Sequence, residues 1–416
     1  MDSIRIQGGV ALQGKVRIHG SKNAALPILA ATLLVRDNSF IRNCPRIADV
    51  YAMINLLKGL GCCVRWLETG IVVDSTHVQK GEMCREAVTG MRSSLCLLGA
   101  LLGRCGELTM EYPGGCVIGK RPIDLHLSAL RKMGVEFTES GGRLRAVASR
   151  LHGACICLPF PSVGATENII LAAVAAEGDT ILEGAALEPE ILTLCRYLQS
   201  CGAFIEGAGS GRLIVHGGRR LHGSEFAIPA DRIVAGTYLF GCMGTGGNVL
   251  LECAPEEEMA AVLEVARKMG GHVCCSEEGI YVQAPERPKP VSISTEPYPG
   301  FPTDLQSVVL AAEVRGCGCT SIKETIFENR FRIVEDLEKM GACIERNDCR
   351  SVTVKGVERL HGACLEAREL RGGAALVIAG LMAEGETIVK GCPYIYRGYE
   401  NICRDFRELG ARVTSV

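Results

Sequence analysis

"RLHGACICLP" at residues 150–159 returns as "RLHGSEFAIP" at 220–229 and as "RLHGACLEAR" at 359–368. A phrase that recurs at long intervals marks a repeated structural unit, and its period decides the fold. A second phrase runs through the whole chain: "KGLGCCV", "RKMGVEF", "QSCGAFI", "RKMGGHV", "EKMGACI" and "RELGARV". Its glycines are Gly61, Gly134, Gly202, Gly270, Gly341 and Gly410, in steps of 73, 68, 68, 71 and 69 residues. Six units of about 70 residues therefore fill the sequence.

The third unit displays their content. "ACICLP" alternates as a strand, and "SVGATENIILAAVAAEG" has helical apolar spacing and stops at a glycine. "DTILEG" is a short strand, and "EPEILTLCRYLQSCG" is a second helix ending at the repeat glycine. "AFIEG" and "RLIVHG" read as a hairpin pair. Each unit is thus expected to be βαβαββ. Such a unit cannot bury both faces of its helices alone, so units must pack together. Three plus three gives two similar domains.

Composition narrows the function. Hydrophobic residues make up 47% of the 416, with one Trp, so the core is aliphatic. The 22 cysteines lie mostly in apolar runs and read as small core residues. With no signal peptide in "MDSIRIQGG", they are expected to be reduced thiols of a cytoplasmic protein. No C-x-x-C spacing occurs, so a structural metal is not expected. The longest apolar run, "AALVIAGLMAEG", is broken at Glu384, too short to span a membrane. A net charge of −2 without a long basic tract disfavours nucleic acid. An anionic ligand would need locally gathered cations.

The junction between first strand and first helix supplies them. Lys22, Arg92, Ser162, Asp231, Asp304 and Arg371 fall at equivalent places, in steps of 70, 70, 69, 73 and 67 residues. Ser162 is an ordinary helix cap, Thr303 with Gln306 reads as a capping box, and both aspartates suit a first turn. Lys22, Arg92 and Arg371 do not, since cations are disfavoured at helix N-termini. Three such cations point to an anionic ligand. Cys116, in "PGGCVIGKRP" at 113–122, stands apart from the other cysteines. Glycines and the cations Lys120 and Arg121 surround it, as a reactive thiolate requires. Pro122 and Asp124 also suit an ordinary helix start. His126 is expected to be a packed or solvated helix residue rather than a partner of Cys116.

At "GSKNAALPILAATLL", "PGGCVIGKRPIDLH", "FPTDLQ", "FENRF" and "RGYENI" the chain resembles the UDP-N-acetylglucosamine 1-carboxyvinyltransferases, the enolpyruvyl transferases of peptidoglycan synthesis. The resemblance runs from about residue 3 to the C-terminus. It implies a two-domain inside-out α/β barrel with helices within and sheets outside. It implies domains of 22–229 and of 1–21 with 230–416, with the active site in the cleft between them. It also implies transfer of the enolpyruvyl group of phosphoenolpyruvate to the 3′-hydroxyl of UDP-N-acetylglucosamine, with phosphate released and no cofactor or metal. The sister family acting on shikimate 3-phosphate shares the fold but lacks the "GGCVIGKRP" loop. A non-catalytic nucleotide-sugar-binding paralogue would need neither Cys116 nor Asp304.

The resemblance also assigns residues. Lys22, Asn23, Arg121 and Arg397 match contacts to phosphoenolpyruvate, and Arg92 and Arg371 match further site arginines. Cys116 matches the acid that protonates C3 and forms covalent adducts with phosphoenolpyruvate or fosfomycin. Asp304 matches the base beside the sugar hydroxyl, and Asp231 a supporting residue. Arg121, Pro122, Ile123, Asp124 and Leu125, with Ser162, Val163 and Gly164, match the uridine-diphosphate contacts. Ile326 and Arg330 match the sugar pocket. Phe160 stands where some relatives have a basic residue, which shifts nucleotide binding there toward backbone N–H groups.

Overall fold

The computed structural model describes residues 3–79, 92–111 and 123–416, with the backbone alone for Arg92 and Ser93. The third repeat shows the pattern most plainly. Strands Cys155–Cys157 and Asp179–Glu183 run parallel, with Ile156 opposite Leu182. Parallel neighbours need a long crossover, here the helix Val163–Ala175. The helix Pro189–Ser200 leads on to Phe204–Glu206, which pairs antiparallel with Arg212–His216. That last strand also pairs antiparallel with Asp179–Glu183. The fifth repeat has the same order: Cys343–Asp348, Ser351–Lys355, Cys319–Lys323, Ser292–Ser294. All six repeat glycines have φ between 84° and 99°. They end the second helix of each repeat in the left-handed region, where a side chain would be strained.

Three repeats depart from a linear βαβαββ reading. The first sheet, built on Asn38–Arg42, Gly70–Asp74 and Cys63–Trp66, takes its parallel edge strand from Glu225–Ala227. The fourth, built on Asn248–Glu252, Gly279–Gln283 and His272–Ser276, takes its own from Gln13–Arg17. Repeats one and four have therefore exchanged first strands. The cause lies in the connectivity. The chain divides into one compact unit of the stretch up to His19 with Ala230–Val416, and another of the described residues from Gly20 to Pro229. Each exchanged strand is completed just before the chain leaves a unit, so it stays with the unit it is leaving. The sixth sheet is closed by the N-terminal strand Ser3–Gln7, antiparallel to both Glu386–Lys390 and Arg412–Ser415. Ile4 and Ile6 of that strand are fully buried. Ile6→Ala should lower stability by about 2–5 kcal/mol, the usual cost of such a truncation. Denaturant unfolding followed by circular dichroism checks it, and a loss below ~1 kcal/mol would mean that this strand closes nothing.

Each unit keeps the first helices of its repeats at the centre. In the Gly20–Pro229 unit, Leu97–Cys105 packs against Lys22–Ala31 and against Val163–Ala175. In the other, Arg232–Thr245, Gln306–Glu313 and Leu370–Met382 pack on one another. Every residue of Leu370–Met382 is buried, as befits a helix that is apolar on all sides beyond Arg371. The approach is close: a Cβ on Gly99 would lie 2.3 Å from the Asn168 carbonyl oxygen. The sheets lie outside, with alternate residues buried against the helices. Each unit is thus helix-centred and sheet-covered. No helix among the described residues is long and apolar enough to cross a membrane.

The expectation that the cysteines are core residues fails. Ten of the twenty described cysteines are exposed, among them Cys63, Cys155, Cys157, Cys319, Cys343 and Cys364. These six stand on the solvent side of the outer strands, where the pleat sends alternate side chains outward.

Candidate active site

The Ala230–Val416 unit gathers charge around Asp304. This residue lies in the turn Thr303–Leu305 that opens the helix Gln306–Glu313. Its Oδ1 accepts from Arg330 Nη2 at 2.7 Å, and its Oδ2 accepts from Arg371 Nη2 at 3.1 Å and Nε at 3.3 Å. Both guanidiniums are only 3% exposed, whereas the Asp304 side chain is 28% exposed. Two buried cations thus fix a carboxylate that keeps a face toward solvent. Carboxylate oxygens have further lone pairs, so Asp304 can still accept a proton or hydrogen bond from a substrate hydroxyl.

Charge balance comes from neighbouring carboxylates. Glu369 precedes the helix Leu370–Met382 and accepts from the amides of Arg371, at 2.8 Å, and Gly372. It also lies 3.8 Å from Arg330 Nη1. Asp231 caps the helix Arg232–Thr245 through the amides of Ile233 and Val234. Burial works against the Arg371 charge; Asp304, then Tyr399 and Asp231, outweigh it and raise its pKa above the ordinary guanidinium value. Tyr399 Oη lies 3.5 Å from Arg371 Nη1 and 2.8 Å from Thr237 Oγ1. Arg397 follows the short helix Cys392–Ile395, and its segment lies against the cluster. A Cβ on the next residue, Gly398, would sit 3.5 Å from Arg371 Nη1.

In the Gly20–Pro229 unit, Lys22 and Asn23 open the helix Lys22–Ala31, capped by Ser21. Lys22 Nζ lies 2.8 Å from Asp49 Oδ2, with side chains 12% and 5% exposed. The same unit brings the helix Asp124–Lys132 against the helix Val163–Ala175. Ile123 is buried, Asp124 exposed and Leu125 half-buried. Ser162 Oγ accepts from Ala165 N, and Val163 and Gly164 follow, all half-buried. His126 is a packed residue: its Nδ1 meets Asn168 Nδ2 at 3.0 Å, and its ring lies 3.1 Å from where a Gly164 Cβ would be. Asn168 Nδ2 also donates to the Gly164 carbonyl, which ties the two stretches together. Phe160 is exposed.

Cys116, Arg121 and Pro122 lie outside the described residues, as does the side chain of Arg92. Among the rest, Asp304, Arg330 and Arg371 meet directly. Ile326 is placed nearby through its loop, and the Asp124–Leu125 and Ser162–Gly164 stretches are neighbours. One expectation needs correction: Thr303 forms no capping box, because its hydroxyl donates to Glu324 Oε2 at 2.9 Å instead. Lys22 and Arg371 each find a counter-charge within their own unit, in Asp49 and Asp304. Asp49, Glu324, Glu369 and Tyr399 were not found from the sequence. Buried Asp49 in "RIADVY" carried no signal beyond its place in a first turn. Among the described residues no group of three or more His, Cys, Asp or Glu could hold a metal ion.

The fold has clear relatives. The structure of the enolpyruvyl transferase NikO from Streptomyces tendae matches with a TM-score of 0.88 at 23% identity, covering 99% of this chain and 98% of that one. That of EPSP synthase from Acinetobacter baumannii matches with a TM-score of 0.74 at 18% identity, covering all of both chains. The fold is that of the enolpyruvyl transferases. The family model for EPSP synthase (3-phosphoshikimate 1-carboxyvinyltransferase) matches residues 6–406. The chain is 44% identical over 417 residues to UDP-N-acetylglucosamine 1-carboxyvinyltransferase 2 of Caldanaerobacter subterraneus subsp. tengcongensis, covering all of both. It is 44% identical over 420 residues to UDP-N-acetylglucosamine 1-carboxyvinyltransferase of Oleidesulfovibrio alaskensis, again covering all of both. The chain belongs to the UDP-N-acetylglucosamine 1-carboxyvinyltransferase family.

Proposed function

We propose that this chain transfers the enolpyruvyl group of phosphoenolpyruvate to the 3′-hydroxyl of UDP-N-acetylglucosamine, releasing phosphate, as a step of peptidoglycan synthesis. The observation that carries the reading is 44% identity over the full length of both chains to relatives of that name. Transfer to shikimate 3-phosphate is not favoured, because the curated relatives matching from end to end carry the other name. We place the reaction in the cytoplasm, where 22 thiols stay reduced.

The reaction is an addition followed by an elimination. Asp304 takes the proton of the 3′-hydroxyl as its oxygen bonds to C2 of phosphoenolpyruvate. The Cys116 thiol gives a proton to C3, producing a tetrahedral ketal that still carries phosphate. The C2–O bond to phosphate then breaks, C3 loses a proton, and the double bond re-forms. Cations and one amide do the electrostatic work: Lys22, Arg121 and Arg397, with Asn23, bind the phosphate and carboxylate of phosphoenolpyruvate, with Arg92 and Arg371 beside them. Arg121, Pro122, Ile123, Asp124 and Leu125, with Ser162, Val163 and Gly164, hold the uridine diphosphate. Ile326 and Arg330 border the sugar. Mass spectrometry of the product tests the reading: the nucleotide-sugar should gain one enolpyruvyl ether, and recovery of unaltered nucleotide-sugar would refute it.

Arg397→Ala should weaken phosphoenolpyruvate much more than nucleotide-sugar. A lost charge-assisted hydrogen bond costs about 1.5–3 kcal/mol, or roughly 10- to 150-fold in affinity. Calorimetric titration of each ligand checks it. Equal losses for both would move Arg397 out of the phosphoenolpyruvate subsite.

A further inference from the structure

Glu324 is fully buried. A carboxylate taken from water must find hydrogen-bond donors, and those it finds reveal what it holds together. It follows the strand Cys319–Lys323, and its amide donates to the Arg350 carbonyl at 2.7 Å, which fixes its backbone. Its Oε1 accepts from the amides of Ile326 at 2.8 Å and Phe327 at 3.0 Å. Its Oε2 accepts from the Thr303 hydroxyl at 2.9 Å. One side chain therefore pins the start of the loop that ends in Arg330 and, at its other oxygen, the turn that carries Asp304. The Asp304–Arg330 contact of 2.7 Å closes the same ring of contacts from its far side.

We propose that Glu324 is a positioning residue that sets the Asp304 turn in register with the Ile326–Arg330 loop. The inference rests on the reading of Asp304 as base and of Ile326 as a neighbour of the sugar. Thr303 is the link that can be cut most selectively. Valine there keeps the shape and removes the hydroxyl, leaving both amide bonds on Oε1 intact. Glu324 acts through Asp304, so the cost should fall on turnover. Small misplacements of a reacting group cost up to about 10²-fold in rate.

The test compares Thr303→Val, Thr303→Ser and wild-type full-length protein with phosphoenolpyruvate and UDP-N-acetylglucosamine. Thr303→Val should lower kcat about tenfold or more, with the KM for nucleotide-sugar near wild type; the thermal midpoint should fall somewhat, because buried Glu324 Oε2 loses the Thr303 donor. Thr303→Ser, which restores the hydroxyl, should restore kcat. A Thr303→Val kcat within about threefold of wild type would overturn the proposal. So would a loss of kcat matched by loss of binding and thermal midpoint and not repaired by serine, since that describes a merely structural residue. Failure of the functional reading looks different: the wild type itself would release no phosphate.

Discussion

Asp304→Asn is expected to lower turnover by about 10²–10⁴-fold, the usual cost of losing a general base, while nucleotide-sugar binding changes little. Asparagine keeps one carbonyl oxygen for a guanidinium but cannot take up a proton. Its amide nitrogen would face a second guanidinium, donor against donor. Arg330 and Arg371, each 3% exposed, would then lack a full counter-charge. Some loss of stability is therefore expected as well, and the rate must be measured in single turnover on protein shown to be folded. Turnover within threefold of wild type would remove Asp304 from the chemistry.

Cys116→Ala is expected to lose most turnover, because the side chain has no proton to give to C3. Cys116→Asp should retain part of it, since a carboxylic acid can donate one. Both should resist a small anionic epoxide such as fosfomycin. In the wild type the thiolate attacks an epoxide carbon, the ring C–O bond opens, and a thioether forms. Phosphoenolpyruvate should compete with the reagent. Exposure is not enough to single out one thiol, because ten of the described cysteines are exposed. A neutral alkylating reagent should therefore label several of them. The anionic reagent should label Cys116 first, drawn by Lys120, Arg121 and the cations proposed to bind phosphoenolpyruvate. Mass spectrometry after brief treatment decides it; first labelling of Cys63, Cys155 or another strand cysteine would contradict the assignment.

Much of the fold was legible because its signals are local. The six repeat glycines announce six left-handed helix ends, and the structure puts all six there. Ser162 before an apolar run announces a cap, and its Oγ accepts from Ala165 N. The exchange of Gln13–Arg17 and Glu225–Ala227 between repeats was not legible. A strand's sequence states its alternation but not its partner, and here the partner lies beyond the crossing of the chain. Cysteine misled for a similar reason. It is apolar enough to read as core, yet on an outer strand the pleat alone decides which side it faces.

In the candidate site, most of the charged residues were legible and their pairing was not. Lys22 and Arg371 drew notice as cations misplaced at helix starts. Asp49 and Asp304, which neutralise them, are 27 and 67 residues away in sequence, and only folding brings them near. Glu324 carries no motif at all. Its role shows only in the three donors that a buried carboxylate has collected.

The most direct test of the account is phosphate release from phosphoenolpyruvate by the purified full-length protein, offered UDP-N-acetylglucosamine or shikimate 3-phosphate as acceptor. Release that depends on UDP-N-acetylglucosamine, and background release with shikimate 3-phosphate, is the predicted result. Release with shikimate 3-phosphate, or none with either acceptor, would contradict it.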